Sequence, residues 1–155
     1  MKIVVQRVKS ARVEVGDKLA GSIGKGMLLF VGIAEGDTPG TVNKMADRLA
    51  AMRIFEDSGG KMNLDVSSVG GAVLNVPQFT LLADTSKGAR PGFSGAASAR
   101  KALALWKDLS AALRERGLEV AEGVFGAHME VSLVNDGPVT FIITSKESAP
   151  EVVDT

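Results

Sequence analysis

The sequence contains no cysteine and a single histidine, His128, in 155 residues. Without cysteine there is no disulfide framework, no thiolate nucleophile and no zinc site built on thiolates, and metal or cofactor chemistry is not expected. With one histidine, a serine-type hydrolase would have to find both its general base and the orienting carboxylate around that one ring. His128 sits in FGAHMEV beside a predicted strand, without an obvious partner, so a structural or merely exposed role competes with a catalytic one. The GxSxG elbow, the HExxH helix and the GxxxxGK[ST] phosphate loop are also missing. Neither sign of charge is in excess, with 18 basic residues against 18 acidic ones. That balance excludes a broad electropositive face along duplex phosphates and leaves only local contact with nucleic acid. Nor is there a long apolar run: the opening MKIVVQRVKSARVEV is broken by Gln6, Arg7 and Lys9, so it is neither a signal-peptide core nor a membrane span. A cytoplasmic protein without a membrane partner is expected.

What is present suffices for one globular core without staples, since 45% of positions are hydrophobic. One domain over residues 1–145 and a polar tail over 146–155 are expected. Residues 2–8 read as a strand, and Arg12 to Val15 alternate before Gly16-Asp17, a pair suited to a hairpin turn. Met27 to Ile33 is almost wholly apolar, as a central strand covered on both faces should be. Thr38-Pro39 has the form of an N-cap and first helical residue, and Val42, Met45, Ala46 and Leu49 follow at helical spacing, with the helix ending near Arg53. Residues 56–71 read as a long surface loop, 72–78 as a strand and 84–95 as a second loop. Ala99, Ala102, Trp106, Leu109 and Leu113 mark one face of a second helix that Gly117 stops. Residues 118–122, 129–135 and 139–144 read as three closing strands. The pattern predicts an α/β fold of mixed, largely antiparallel sheets in layers with two main helices packed on them.

Paired carboxylates offer one route to acid-base chemistry, since Glu56, Asp57, Asp65 and Asp84 lie in or beside loops, though solvating a loop is the ordinary role of such residues. A catalyst without strong side-chain bases must draw on backbone dipoles, ordered water or its own substrate.

Two segments sharpen the reading: Pro77-Gln78-Phe79-Thr80-Leu81 at a strand end, and Asn135-Asp136-Gly137-Pro138-Val139-Thr140 between two closing strands. Together they resemble the signatures of the D-aminoacyl-tRNA deacylases, Ser-Gln-Phe-Thr-Leu and Asn-x-Gly-Pro-Val-Thr. Further similarity runs through Gln6-Arg7-Val8, Arg53-Ile54-Phe55-Glu56-Asp57, Gly88-Ala89-Arg90-Pro91 and Phe125-Gly126-Ala127-His128-Met129. Alone, a Gly-Pro pair is a turn and Gln-Phe-Thr-Leu a strand end; it is their order and separation that carry the likeness. Pro77 stands where the family usually has serine. A related animal group that clears a mischarged L-amino acid also has proline there but alanine at the place of Phe79, so Phe79 favours the D-specific group.

The resemblance implies the fold named above and hydrolysis of the ester of D-aminoacyl-tRNA with rejection of L-aminoacyl-tRNA: chiral proofreading in translation. A filter that works by rejection should also admit glycyl-tRNA, which has no side chain to reject. It implies a homodimer in which a cis Gly137-Pro138 pair enters the active site of the partner and acts as the chiral filter, oriented by Arg7, whose ordinary alternative is a surface ion pair. Gln78, Phe79 and Thr80 would form the catalytic floor, with Gln78 positioning substrate and the Phe79 and Thr80 N–H groups donating to the oxyanion. Thr80 as a nucleophile competes with assistance from the terminal ribose hydroxyl. Phe125 and Met129 match the pocket for the tRNA 3'-terminal adenosine, although core packing fits them equally well. Lys87 and Arg90 would meet acceptor-stem phosphates or simply solvate their loop. The aminoacyl-tRNA 3' end is the partner implied. A non-catalytic RNA-end-binding module, a deacylase with relaxed chirality and a structural dimer domain remain as alternatives.

Overall fold

In the computed structural model, which describes residues 1–145, the chain is organised around one long strand. β1 (Lys2–Val15) pairs antiparallel with β3 (Gly26–Gly32) along residues 2–8, then with β2 (Lys18–Ile23) along residues 11–15. Its other edge pairs throughout with β8 (Glu130–Thr144), and that register slips on either side of Val8. The slip changes which face the side chains take. Ile3 and Val5 point into a core shared with the helices, whereas Val8, Ala11 and Val13 point into a second core with Ile23, Leu28, Leu74 and Val76. A β-bulge has this effect because side chains alternate with a period of two.

β3 continues the sheet in parallel to β6 (Ala72–Pro77), and β6 in parallel to β7 (Val120–Glu122). β2 lies against β7, so the six-stranded sheet curls toward a barrel with the second core inside it. Helices α1 (Pro39–Ala51) and α2 (Ala99–Glu115) share the first core, which covers the other face of the sheet. The Thr38 hydroxyl caps α1 by accepting from the Thr41 N–H, while the Thr41 hydroxyl accepts from the Thr38 N–H. Ser98 caps α2 through the Lys101 N–H. The mixed α/β class with two helices on the sheet is therefore the observed one, and Met27 to Gly32 is its central strand.

Several boundaries differ from the pattern reading. β1 is one strand rather than two pieces, since the polar stretch Lys9-Ser10 is the bulge and not a break. Residues 56–71 are not all loop: β4 (Phe55–Glu56) and β5 (Met62–Leu64) form a two-stranded hairpin. Strands of two and three residues are too short to show alternation. α1 ends at Ala51, earlier than Arg53. The expected tail, 146–155, lies outside the described residues. Among the described residues no helix is long and apolar enough to cross a membrane.

The parallel contact of β3 with β6 is unusually close at Gly26, where a Cβ would stand 1.8 Å from the Ala72 carbonyl oxygen. Backbone cannot yield as a flexible side chain would, so Gly26→Ala should lower stability by about 3 kcal/mol, read from urea unfolding. An unchanged midpoint would mean that these strands do not meet so tightly.

Candidate active site

Because β3 and β6 are parallel, both end at the same rim of the curled sheet. Val31 pairs with Pro77, and the Gln78 N–H donates to the Val31 carbonyl at 2.8 Å. The chain then turns through a short 3-10 segment, Phe79–Leu82, whose Leu81 and Leu82 pack over Gly32. This rim opens into a cavity of about 610 Å³. Pro77, Gln78 and Phe79 form one side of it, Trp106 from α2 another, and Phe125 and Met129 a third. Phe79 is 59% exposed, and its ring meets Phe93 edge-on with centroids 5.0 Å apart. His128 also lines the cavity, exposed and without a hydrogen-bond partner among the described residues.

Thr80 is exposed at the rim, and its hydroxyl accepts a hydrogen bond from the Gln78 side-chain amide. No histidine, lysine or carboxylate bonds to it among the described residues. The N–H groups of Phe79 and Thr80 precede the first 3-10 bond of the segment, Leu81 N–H to Gln78 O, and donate to no backbone acceptor in the described turns and loops.

The second segment lies elsewhere. Residues 136–139 bulge out of β8 between its two stretches of pairing with β1, and the Gly137-Pro138 bond is cis. Asn135 closes the bulge: its Oδ1 accepts from the Val139 N–H at 2.9 Å and its Nδ2 donates to Thr140 Oγ1 at 2.9 Å. Gln6 Nε2 donates to the same hydroxyl at 3.2 Å. Gly137 has φ of +139°, and a Cβ there would stand 2.6 Å from Val139 Cγ2 and 3.3 Å from Arg7 Nη2, so only glycine fits. Arg7, 4% exposed, donates through Nε to the Asp136 carbonyl at 3.0 Å and through Nη1 to the Ile54 carbonyl at 2.7 Å. Its charge is balanced by Asp136 Oδ2 at 3.5 Å and Glu56 Oε1 at 3.8 Å. Arg7 does pair with an exposed acid, Glu56, but its own guanidinium is buried and also ties β1, the bulge of β8 and the segment after α1 through two carbonyls.

Within one chain the two segments do not meet. Arg7 pairs with Met27 and Pro77 with Val31, so the segments flank opposite ends of β3, about 13 Å apart along the strand at its usual rise. Of the residues singled out in the sequence, Gln78, Phe79, Phe125, Met129 and His128 converge on the cavity; Arg7, Gly137 and Pro138 converge on the bulge. Lys87 and Arg90 belong to neither group, and Thr80, expected in the catalytic floor, does not itself line the cavity but stands beside Gln78 at the rim. The motifs passed over Phe93 and Trp106. Phe93 is a lone aromatic in a glycine-rich loop, and Trp106 has the spacing of any core position.

The loop carboxylates hold loops. Asp57 accepts from the Lys61 and Gly59 N–H groups, Asp65 from the N–H and hydroxyl of Ser68, and Asp84 from the hydroxyl and N–H of Ser86. Those bonds hold all three carboxyls below the usual value of 3.8. For Asp57 the Lys61 N–H is the largest cause, for Asp65 the Ser68 N–H, and for Asp84 the Ser86 hydroxyl. Lowered values make them weaker bases, and Glu56 serves Arg7. None is a general acid or base for the cavity.

Residues 4–144 match the family model described as D-Tyr-tRNA(Tyr) deacylase. A D-aminoacyl-tRNA deacylase of Anaeromyxobacter dehalogenans (strain 2CP-C) is 53% identical over 94% of this chain and 98% of its own. That of Thermus aquaticus is 51% identical over 95% and 97%. Among solved structures, the c-Myc DNA unwinding element binding protein is 36% identical, with a TM-score of 0.89 over 95% of this chain and all of the other.

Asp65 offers a check on the loop geometry. Its folded pKa is depressed, so its contribution to stability is complete above the unfolded value and is lost as pH falls through the lower folded one. Asp65→Asn should therefore be less stable than the parent at neutral pH, and the gap should close in acid below 3.8. Urea midpoints across that range measure it; a gap that widens in acid would contradict the assignment.

Proposed function

The chain belongs to the D-Tyr-tRNA(Tyr) deacylase family, and from that premise we propose that it hydrolyses the ester of D-aminoacyl-tRNA, and of glycyl-tRNA, while sparing L-aminoacyl-tRNA. The observation that carries the mechanism is the cavity itself: apolar walls, Gln78 and Phe79 at the rim, and no acid-base pair among the residues lining it. The terminal adenosine enters between Phe125 and Met129, where an aromatic ring and a thioether can hold a base. That leaves the scissile ester at the Gln78–Thr80 segment.

Water attacks the ester carbonyl carbon, and the negative charge that develops on its oxygen is met by the N–H groups of Phe79 and Thr80. The bond to the ribose oxygen then breaks and that oxygen takes up a proton. Gln78 orients the substrate. Thr80 is not the nucleophile, because a hydroxyl without a base is weakly reactive and its only described partner is an amide donor. The neighbouring ribose hydroxyl assists the water instead, so the substrate supplies the group that the protein lacks.

Gly137 and Pro138 read chirality. Backbone oxygens of the pair accept from the α-ammonium, and the surrounding backbone leaves no room for an L side chain. Such a filter needs rigidity, and Arg7 and Asn135 provide it. Since the bulge and the Gln78 rim lie at opposite ends of β3, the filter acts on the cavity of a second copy. The outer edge of β8 supports a homodimer: among the described residues this strand pairs with β1 alone, and it exposes Phe141 and Ile142.

One deacylation panel tests the reaction. D-tyrosyl-tRNA should be cleaved, L-tyrosyl-tRNA spared, and glycyl-tRNA cleaved because it has no side chain to reject. Equal rates on the two enantiomers would sink the filter, and a substrate ending in 2'-deoxyadenosine should lose turnover. A non-catalytic binder would instead protect the ester.

Subunit complementation tests the trans filter. Gly137→Ala and Gln78→Ala should each be nearly inactive. Co-refolded in equal amounts, they should recover about one quarter of parental activity, because half the dimers are mixed and each mixed dimer holds one intact site. No recovery would mean that both segments serve the same chain.

A further inference from the structure

Asn75 lies on β6 just before the rim; its side chain is 0% exposed and does not line the cavity. Its amide is spent entirely on α2. Oδ1 accepts from Trp106 Nε1–H at 2.8 Å, while Nδ2 donates to Ser110 Oγ at 2.9 Å and to the Trp106 carbonyl at 3.3 Å. An indole N–H can only donate, so it fixes which end of the amide faces it. Ser110 must therefore accept from Nδ2, and its own proton goes to Glu122 Oε2 at 2.8 Å. Glu122 is held in turn by Lys107 at 3.1 Å and Arg114 at 3.9 Å. Every donor has an acceptor, and only one arrangement of protons satisfies the chain.

The main chain of Asn75 performs a second task. Its carbonyl accepts from the Gly123 N–H at 2.9 Å, where the 123–129 segment leaves β7. That segment carries Phe125, whose ring lies against Trp106 with centroids 6.0 Å apart and planes tilted by 44°. One residue thus anchors both remote walls of the cavity, Trp106 through its side chain and Phe125 through its backbone. Apolar packing alone would press Trp106 against the sheet without fixing its depth or rotation, since dispersion has little directionality. A satisfied buried hydrogen-bond chain supplies the direction.

We propose that Asn75 is a positioning residue for the terminal nucleoside: by fixing Trp106 and the start of the 123–129 segment, it holds the Phe125 ring at the depth and tilt a stacked base requires. The proposal rests on reading the cavity as the nucleoside pocket. Ser110 extends the same anchor to β7. The effect belongs to binding of the 3' end and not to the ester chemistry, because the Asn75 side chain reaches no part of the Gln78–Thr80 segment.

The test is steady-state deacylation of D-tyrosyl-tRNA by the full chain and by Asn75→Ala, Ser110→Ala and Phe125→Ala, with the emission of Trp106, the only tryptophan, as a spectroscopic reporter. Phe125→Ala should raise KM about tenfold through lost stacking. Asn75→Ala, which leaves the indole N–H buried without an acceptor, should raise KM about tenfold with kcat within about twofold, and should shift Trp106 emission. Ser110→Ala keeps the Asn75–Trp106 bond and should raise KM about threefold; it decides the matter if Asn75→Ala does not fold. Unchanged KM in folded Asn75→Ala or Ser110→Ala, beside a raised KM in Phe125→Ala, overturns the positioning role and leaves the pocket standing. An unchanged KM in all three removes the nucleoside pocket and the proposal together. A fall in kcat at constant KM also overturns it.

Discussion

The buried guanidinium of Arg7 sits where three otherwise separate pieces of chain have to agree. It is 4% exposed and bonds to the carbonyls of Ile54 and Asp136, so β1, the bulge of β8 and the segment after α1 are tied at one point. Burying a cation is costly unless it is paired and its donors are met. Two carbonyls, with the carboxylates of Asp136 and the more exposed Glu56, meet that condition here. The same place on β1 is where the register slips and the side chains change core. The register slip of β1, the bulge that carries Gly137-Pro138 and the segment after α1 thus meet at one place.

Much of this was legible in the chain, and the reasons are specific. Thr38-Pro39 announces its helix because capping chemistry is local. Met27 to Gly32 declares itself central because a strand covered on both faces has no polar side to show. The bulge of β1 was not legible: Lys9-Ser10 looks like a break, and only the partner strand β8 turns it into a continuation. β4 and β5 were hidden by their shortness. In the site, the Gln78-Phe79 and Gly137-Pro138 segments stand out as motifs, yet their separation to opposite ends of β3 depends on a parallel pairing that no single segment encodes.

Arg7 and Trp106 illustrate a different limit. A strand arginine is ordinarily a surface residue and a helical tryptophan ordinarily core. Both statements concern frequency, whereas the roles found here concern partners. Arg7 matters because two carbonyls converge on it. Trp106 matters because its one polar atom meets Asn75 while its ring meets Phe125. Sequence spacing reports which face a side chain takes, but not which distant polar group is aimed at it.

On the proposed mechanism, the poverty of acid-base residues lining the cavity and the buried anchors Arg7 and Asn75 answer the same demand. In that mechanism backbone reads handedness and the substrate supplies the proton transfer, so a tuned histidine adds nothing. The protein gains from holding a few main-chain atoms still. Backbone has no rotamers to freeze, so its precision depends on whatever fixes the neighbouring dihedrals: Asn135 across the bulge, Arg7 behind it, and the glycine at 137 that lets the chain turn where a Cβ would collide. At the other end of β3 Asn75 does for the cavity walls what Arg7 does for the bulge. In each case the desolvation cost of a buried polar group is met by a complete set of partners, and what results is a fixed position rather than a reactive group.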